Sequence, residues 1–242
     1  MTSLDKFKKL RVAVGIPSGF FWMTDFAISY TNLVLFFAQN RMPGYSDQVL
    51  QTINSKGSIL PKQRMEVVKK ALEMKATHLL WLDSDHVFPP QMLHRLLSHD
   101  LDVVCVNHVT KSIPASPTAR AKPTKPSDPS YGVPIFTDDN SPELEKVWRI
   151  GTGTMLMTRK VLDAIGHKVF DMYYRPEVDS YQGEDWTMCE HIEKAGFEMW
   201  IDHPLSLQCE HIGVLNYNHS LVPGTKLIDD PKPAPKLEIA RG

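Results

Sequence analysis

An α/β fold built on a mostly parallel central sheet is the class this sequence predicts, and three observations predict it. Short apolar runs alternate with amphipathic stretches of helical period through the first half of the chain. One such run, Leu79 to Leu82, is closed by polar residues and is too short for a buried helix, so it reads as a central strand. The 242 residues are 42% hydrophobic and 23% charged, which suffices for one full core.

Each element has its own signal. Arg11 to Ile16 is the first strand, and Pro17, Ser18 and Gly19 close it in a small-residue turn that lets backbone amides approach a ligand. Thr24 caps a helix from Asp25 to about Gln39, with Phe26, Tyr30, Leu33, Val34 and Phe37 on its core face. Asp47 to Thr52 is a second strand, followed by a loop from Asn54 to Ser58. Pro61 opens the next helix, where its missing N–H costs nothing, and Met65, Val68 and Leu72 form the apolar stripe. After the central strand come a short helix, Pro90 to Ser98, and a buried strand, Val103 to Asn107.

From Lys111 to Pro134 the prolines are too dense for helix or central strand. This long loop carries Lys111, Arg120, Lys122 and Lys125 before any acid, a local basic patch able to meet a polyanion. Order returns at Val147 to Thr158, two strand-like runs joined by Gly151-Thr152-Gly153, whose bare backbone admits a substrate ring. A helix from Arg159 to Ile165 ends at Gly166. Gly183-Glu184-Asp185-Trp186 opens an amphipathic helix through Met188, Ile192 and Ala195, and Glu198 to Asp202 is the last strong strand. Ser206 to Glu210 then leads into His211, and the proline-rich tail 229–242 is expected to be extended. One domain over 1–228 accommodates all of this, in two halves at about 11–110 and about 145–213.

Composition excludes several function classes. A net charge of −1 gives no global attraction to nucleic acid or membrane. No stretch approaches the ~18 apolar residues of a membrane span, and the first residues lack a signal-peptide core. Three cysteines leave an odd thiol and point to a reducing compartment, so the expectation is a cytoplasmic protein. Cys189-Glu190-His191 and Cys209-Glu210-His211 repeat one tripeptide, but residues two apart on a helix face different ways and make a poor zinc chelate.

The chemistry concentrates at Asp83-Ser84-Asp85. Two hard oxygen donors one residue apart, at the carboxyl end of a strand, can approach one divalent cation where α/β sheets bind ligands. Leu79-Leu80-Trp81-Leu82-Asp83-Ser84-Asp85 resembles the DXD strand of GT-A-fold glycosyltransferases, the inverting family two enzymes in particular, which hold a nucleotide-sugar pyrophosphate through a metal. The resemblance runs from about Arg11 to Gly213 and rests on the order of its motifs. It implies a GT-A fold, with Asp83, Asp85 and His211 holding Mn²⁺ or Mg²⁺. It implies a nucleotide-sugar, UDP-linked by preference, beside Pro17, Ser18, Arg64 and Ser84, with a nucleotide-binding half at about 11–110 and an acceptor half at about 145–213. It implies that Gly151, Thr152, Gly153, Glu184 and Trp186 border the sugar or acceptor, and that Asp185 is the general base of an inverting transfer. The helix start is expected to keep Asp185 ionised at neutral pH.

Small GT-A enzymes of this kind include virus-encoded ones that glycosylate modified bases in DNA, so a hydroxymethylated base, reached through the basic loop 111–125, is one acceptor the resemblance allows. That setting is the cytoplasm of a virus-infected host, as in a bacteriophage. Two other readings stay open. Asp83 and Asp85 also fit the paired aspartates of haloacid-dehalogenase-like phosphatases, and a non-catalytic nucleotide- or glycan-binding module would share the fold.

Overall fold

Leu79 and Trp81 face one side of their strand and Leu80 and Leu82 the other, and all four are fully buried. A strand buried on both faces must lie between two layers of helices. The computed structural model, which describes residues 9–125, 127–128, 130–213 and 216–226, has that architecture. The expectations for the tail 229–242 and for residues 1–8 lie outside the described residues.

In chain order the first half comprises β1 (Lys9–Ser18), α1 (Thr24–Gln39), β2 (Asp47–Lys56), α2 (Leu60–Glu73), β3 (His78–Leu82), β4 (His86–Val87), α3 (Met92–Ser98) and β5 (Val103–Cys105). Next come β6 (Arg120–Ala121), β7 (Val133–Pro134), β8 (Leu144–Val147), β9 (Thr154–Thr158) and α4 (Arg159–Ile165). The chain goes on through β10 (Tyr173–Arg175), β11 (Ser180–Gln182), α5 (Glu184–Lys194), β12 (Met199–Asp202), α6 (His203–Ser206), β13 (Glu210–Ile212) and β14 (Asn216–Tyr217).

The central sheet has seven strands in the order β2-β1-β3-β9-β5-β12-β8. β2, β1, β3, β5 and β12 run one way, and only β9 and β8 oppose them, so the sheet is mostly parallel as the sequence predicts. Phe26, Leu33 and Phe37 of α1 and Met92, Leu93 and Leu96 of α3 pack on one face. Val67, Val68 and Ala71 of α2, Val161 and Leu162 of α4, and Met188 and Ile192 of α5 cover the other. The carboxyl ends of β1 and β3 therefore meet the loop before β9 at one edge of the sandwich, where ligand sites of such sheets form.

Several boundaries differ from the sequence reading. β1 runs through Pro17 to Ser18 instead of breaking there, because its pairing with β3 has already stopped at Gly15↔Trp81 while β2 continues alongside to Ser18↔Lys56. The same ladder carries β2 to Lys56, through the residues expected to form a loop, and Ser18 Oγ meets Asn54 Oδ1 at 3.1 Å across it. Thr24 is the first residue of α1 and Met23 is its N-cap, with no side-chain capping bond. On α2 the buried stripe is Arg64, Val67, Val68 and Ala71 with Gln63, a rotation that leaves Met65 and Leu72 only partly buried. The strand expected at Val147 lies earlier, as β8, because it pairs antiparallel with β12 from Leu144↔Asp202 to Val147↔Met199. Among the described residues of the proline-rich loop, the strands are the two-residue pair β6 and β7, apart from the central sheet. No helix among the described residues is long and apolar enough to cross a membrane.

Candidate active site

Asp85 follows β3 and leads directly into β4, which pairs antiparallel with β13 in the register His86↔His211. That pairing brings together two imidazoles far apart in sequence. Ligand atoms of Asp85, His86 and His211 all lie within 4.8 Å of one another, the only such cluster of three among the described residues. His211 Nε2 is 3.5 Å from Asp85 Oδ2, and the His86 and His211 rings are 4.4 Å apart.

The tautomers follow from the partners. His86 Nδ1 lies 3.2 Å from the Gly153 carbonyl and His211 Nδ1 2.8 Å from the Val109 carbonyl. A carbonyl only accepts, so each Nδ1 carries a proton. His86 Nε2 is shielded from water and has no hydrogen-bond partner among the described residues. Burial pushes His86 down to about 4, so it is neutral at physiological pH. The neutral His86 ring and the His211 ring, each held at Nδ1 by a backbone carbonyl and set beside a carboxylate, could hold a metal ion with outer support already in place.

Asp85 feels opposing influences. Burial raises its pKa, but the contact with His211, the nearby His86 and the bond from Lys111 outweigh it and hold the carboxyl well below its usual range. Lys111 Nζ rests on Asp85 Oδ2, bringing one charge of the basic loop into this cluster. Its side chain is partly exposed, so it is free to yield that oxygen to a cation.

His86 is stacked on His108, 3.7 Å between centroids and 11° between planes. On its other side is Gly153, where an added Cβ would stand 2.2 Å from His86 Cε1. The open space at Gly153 is thus filled by this imidazole rather than facing a substrate ring, and Thr152 is buried with its hydroxyl unpartnered. Gly153→Ala is expected to push the ring out of its stack. It should cost roughly 1–3 kcal/mol by overpacking, read in thermal melts, and displace one ligand atom of the Asp85, His86 and His211 cluster.

Asp83 points elsewhere. Its Oδ1 lies 3.4 Å from Arg64 Nη2, and Arg64 Nε lies 3.4 Å from Glu184 Oε1. Arg64 is only 3% exposed, with its guanidinium 5.6 Å from the Trp81 ring centre. A guanidinium buried this deeply needs compensating charge, and Glu184 turns inward to supply it instead of facing the acceptor space. Arg64 thereby ties the end of β3 to the start of α5.

Asp185, one residue on, faces a cleft of about 440 Å³ walled by Arg120, Tyr131, Arg175, Tyr181, Gln182 and Trp186. A Cβ at Gly183 would stand 2.9 Å from its Oδ1, so that glycine leaves room for the carboxylate, whereas one at Gly151 would meet Oδ2 in ordinary contact at 3.6 Å. Asp185 stays mostly ionised at neutral pH, as expected, but the helix start does not lower its pKa. Burial pushes its pKa up to about 6, the charge of Arg64 pulls it down, and Glu184 adds to the rise. Desolvation outweighs the helix terminus, which makes Asp185 a stronger base than sequence alone implies.

Pro17 and Ser18 are buried in β1, and the Ser84 carbonyl accepts from Met23 N at 3.2 Å, fixing the β1–α1 loop against the strand end. His86 and the role of Arg120 escaped sequence reasoning. For His86 the signal was its place directly after Asp83-Ser84-Asp85; for Arg120 only its membership of the basic loop.

No protein-family model matches the sequence, and no curated protein sequence matches it. Among solved structures, A197 from STIV aligns at a TM-score of 0.51 with 20% identity, covering 87% of this chain and 91% of that one. The likeness is one of fold. A nucleoside-diphosphate-sugar pyrophosphorylase from Vibrio cholerae RC9 aligns at 0.45 with 10% identity, covering 88% of this chain and 96% of that one. A CMP:2-keto-3-deoxy-manno-octonic acid synthetase complexed with CTP aligns at 0.44 with 12% identity, covering 79% and 88%.

Proposed function

We propose that this chain is a metal-dependent glycosyltransferase that moves a sugar from a nucleotide-sugar, with UDP as the favoured nucleotide, to an acceptor hydroxyl with inversion. One observation carries the reading: a cluster able to hold a cation follows β3, a raised carboxyl in a cleft opens α5, and the buried Arg64 bridges the end of β3 to the start of α5. Asp85, His86 and His211 fit a divalent cation, and two imidazole donors favour Mn²⁺ over Mg²⁺. Such a cation, when bound, offsets the negative charge that develops on the departing diphosphate.

The chain's own residues do the rest. Arg64 holds Asp83 and Glu184 so that the strand end and the helix start keep one geometry. Asp185 receives the proton of the acceptor hydroxyl as that oxygen attacks the anomeric carbon from the face opposite the leaving group. The phosphatase reading loses support because Asp83, the nucleophile it needs, is held by Arg64 and lies outside the imidazole cluster. As for nucleic acid as acceptor, the charges of the basic loop are divided: Lys111 rests on Asp85, Lys122 lies 2.8 Å from Glu193, and Arg120 faces the cleft.

A thermal-shift panel of nucleotide-sugars with and without Mn²⁺ tests the donor side. At about 100-fold excess over the dissociation constant, a bound donor adds roughly 2.7 kcal/mol and raises the melting temperature by several degrees, only with Mn²⁺ present. A panel that gives no metal-dependent shift contradicts the proposal. Stabilisation with no turnover identifies a binding module.

A further inference from the structure

The cleft beside Asp185 holds a charged group that the transfer chemistry leaves unused. Arg120 Nε and Nη1 are shielded from water and have no hydrogen-bond partner among the described residues. No carboxylate lies within 4.0 Å of this guanidinium among the described residues, whereas Arg64, Arg95, Arg149, Arg159 and Arg175 each have one. A guanidinium stays charged in a protein, and a buried donor without an acceptor is costly. The backbone keeps it there: Arg120 N donates to the Arg149 carbonyl at 2.8 Å, and Trp148 N donates to the Arg120 carbonyl at 2.8 Å.

The surrounding walls are of a different character. Arg175 is occupied by Glu177 at 2.7 Å and by the Ser130 carbonyl at 3.2 Å, which ties the loop bearing Tyr131 to the hairpin of β10 and β11. Tyr131 and Tyr181 are 49% and 69% exposed at the rim, and Trp186 lies on the same wall as Asp185. Such exposed flat rings offer stacking surfaces, and a guanidinium fork offers paired donors to an oxyanion. Aromatic faces beside a free arginine are the combination that binds a base or other ring together with its phosphate. A volume of about 440 Å³ holds one such unit.

We propose that the acceptor is a ring bearing a phosphate group, of nucleotide size, with its phosphate on Arg120, its ring against Tyr131, Tyr181 and Trp186, and its hydroxyl directed to Asp185. The orientation toward Asp185 rests on the glycosyltransferase reading, whereas binding in the cleft does not. A free nucleotide and a nucleotide within a strand share this chemistry.

The test is calorimetric titration with thymidine 5′-monophosphate and with thymidine, in chelator so that no divalent cation is present. The nucleotide should bind at least tenfold more tightly than the nucleoside. Arg120→Ala should erase that preference, and Arg120→Lys should keep part of it. Melting curves confirm that both variants fold, as expected for a side chain without an ion pair. Equal binding of nucleotide and nucleoside by the wild type, or a preference that survives Arg120→Ala, overturns the proposal. A thymidine trinucleotide separates the sources: affinity that rises and becomes steeply salt-dependent supports a strand, and affinity equal to the mononucleotide supports a free acceptor. If donor turnover is absent while the Arg120-dependent preference holds, the glycosyltransferase reading fails and the phosphate site stands.

Discussion

Asp185→Asn is expected to lower kcat by roughly two to four orders of magnitude while making the protein more stable at pH 7.5. The first effect follows from removing the proton acceptor without changing volume or the start of α5. The second follows from the pKa. A carboxyl raised to about 6 in the folded state holds its proton more tightly folded than unfolded. Protonation therefore favours the fold: the contribution is fully present below the ordinary value near 4 and is lost as pH rises through about 6. At pH 7.5 the ionised side chain carries that cost, and asparagine removes it. Because Asp185 is partly open to the cleft, the gain is about 1–2 kcal/mol, or several degrees in melting temperature. The same pKa sets the wild-type rate profile, which should fall as pH drops below about 6. Normal kcat in the asparagine variant, or a melting temperature that drops, contradicts the assignment.

Asp85→Ala and His86→Gln should each abolish metal-dependent donor binding, with turnover reduced roughly 10³-fold or more for Asp85→Ala. Asp85 contributes the charged oxygen of the cluster, and His86 the shielded nitrogen that has no partner among the described residues. Glutamine keeps most of the volume between His108 and Gly153 but does not present an imidazole lone pair in that position. Mn²⁺ binding followed by electron paramagnetic resonance separates this from a folding defect. Both variants should leave Mn²⁺ free in solution at concentrations where the wild type binds it. Wild-type Mn²⁺ affinity in His86→Gln would remove that residue from the site and return the cluster to a packing role.

How much of this was legible in the residues depends on what set each feature. The fold was, because Leu79 to Leu82 and the runs around Val12 and Val104 are apolar on both faces, and local pattern decides such strands. The polar end of β2 was not, since Asn54, Ser55 and Lys56 are strand only through their register with β1. At the site, Asp85, Asp185 and His211 were visible from order along the chain. The separation of Asp83 from Asp85 was not, because it depends on a buried arginine one helix away. His86 stayed hidden because only the β4–β13 pairing shows that it stands beside His211, and only the bare face of Gly153 makes room for it. The direction of the Asp185 shift was misjudged because a helix start is readable in sequence whereas desolvation is not.

The most direct test of the central claim is chromatography of the nucleotide products when the wild-type protein is incubated with a panel of nucleotide-sugars, with Mn²⁺ or with chelator. Glycosyl transfer, even to water, cleaves the bond from the anomeric carbon to the diphosphate, so a nucleoside diphosphate should appear with Mn²⁺ and not with chelator. A nucleoside monophosphate together with a sugar phosphate, or inorganic phosphate in place of the diphosphate, would place the cleavage at phosphorus and contradict the account.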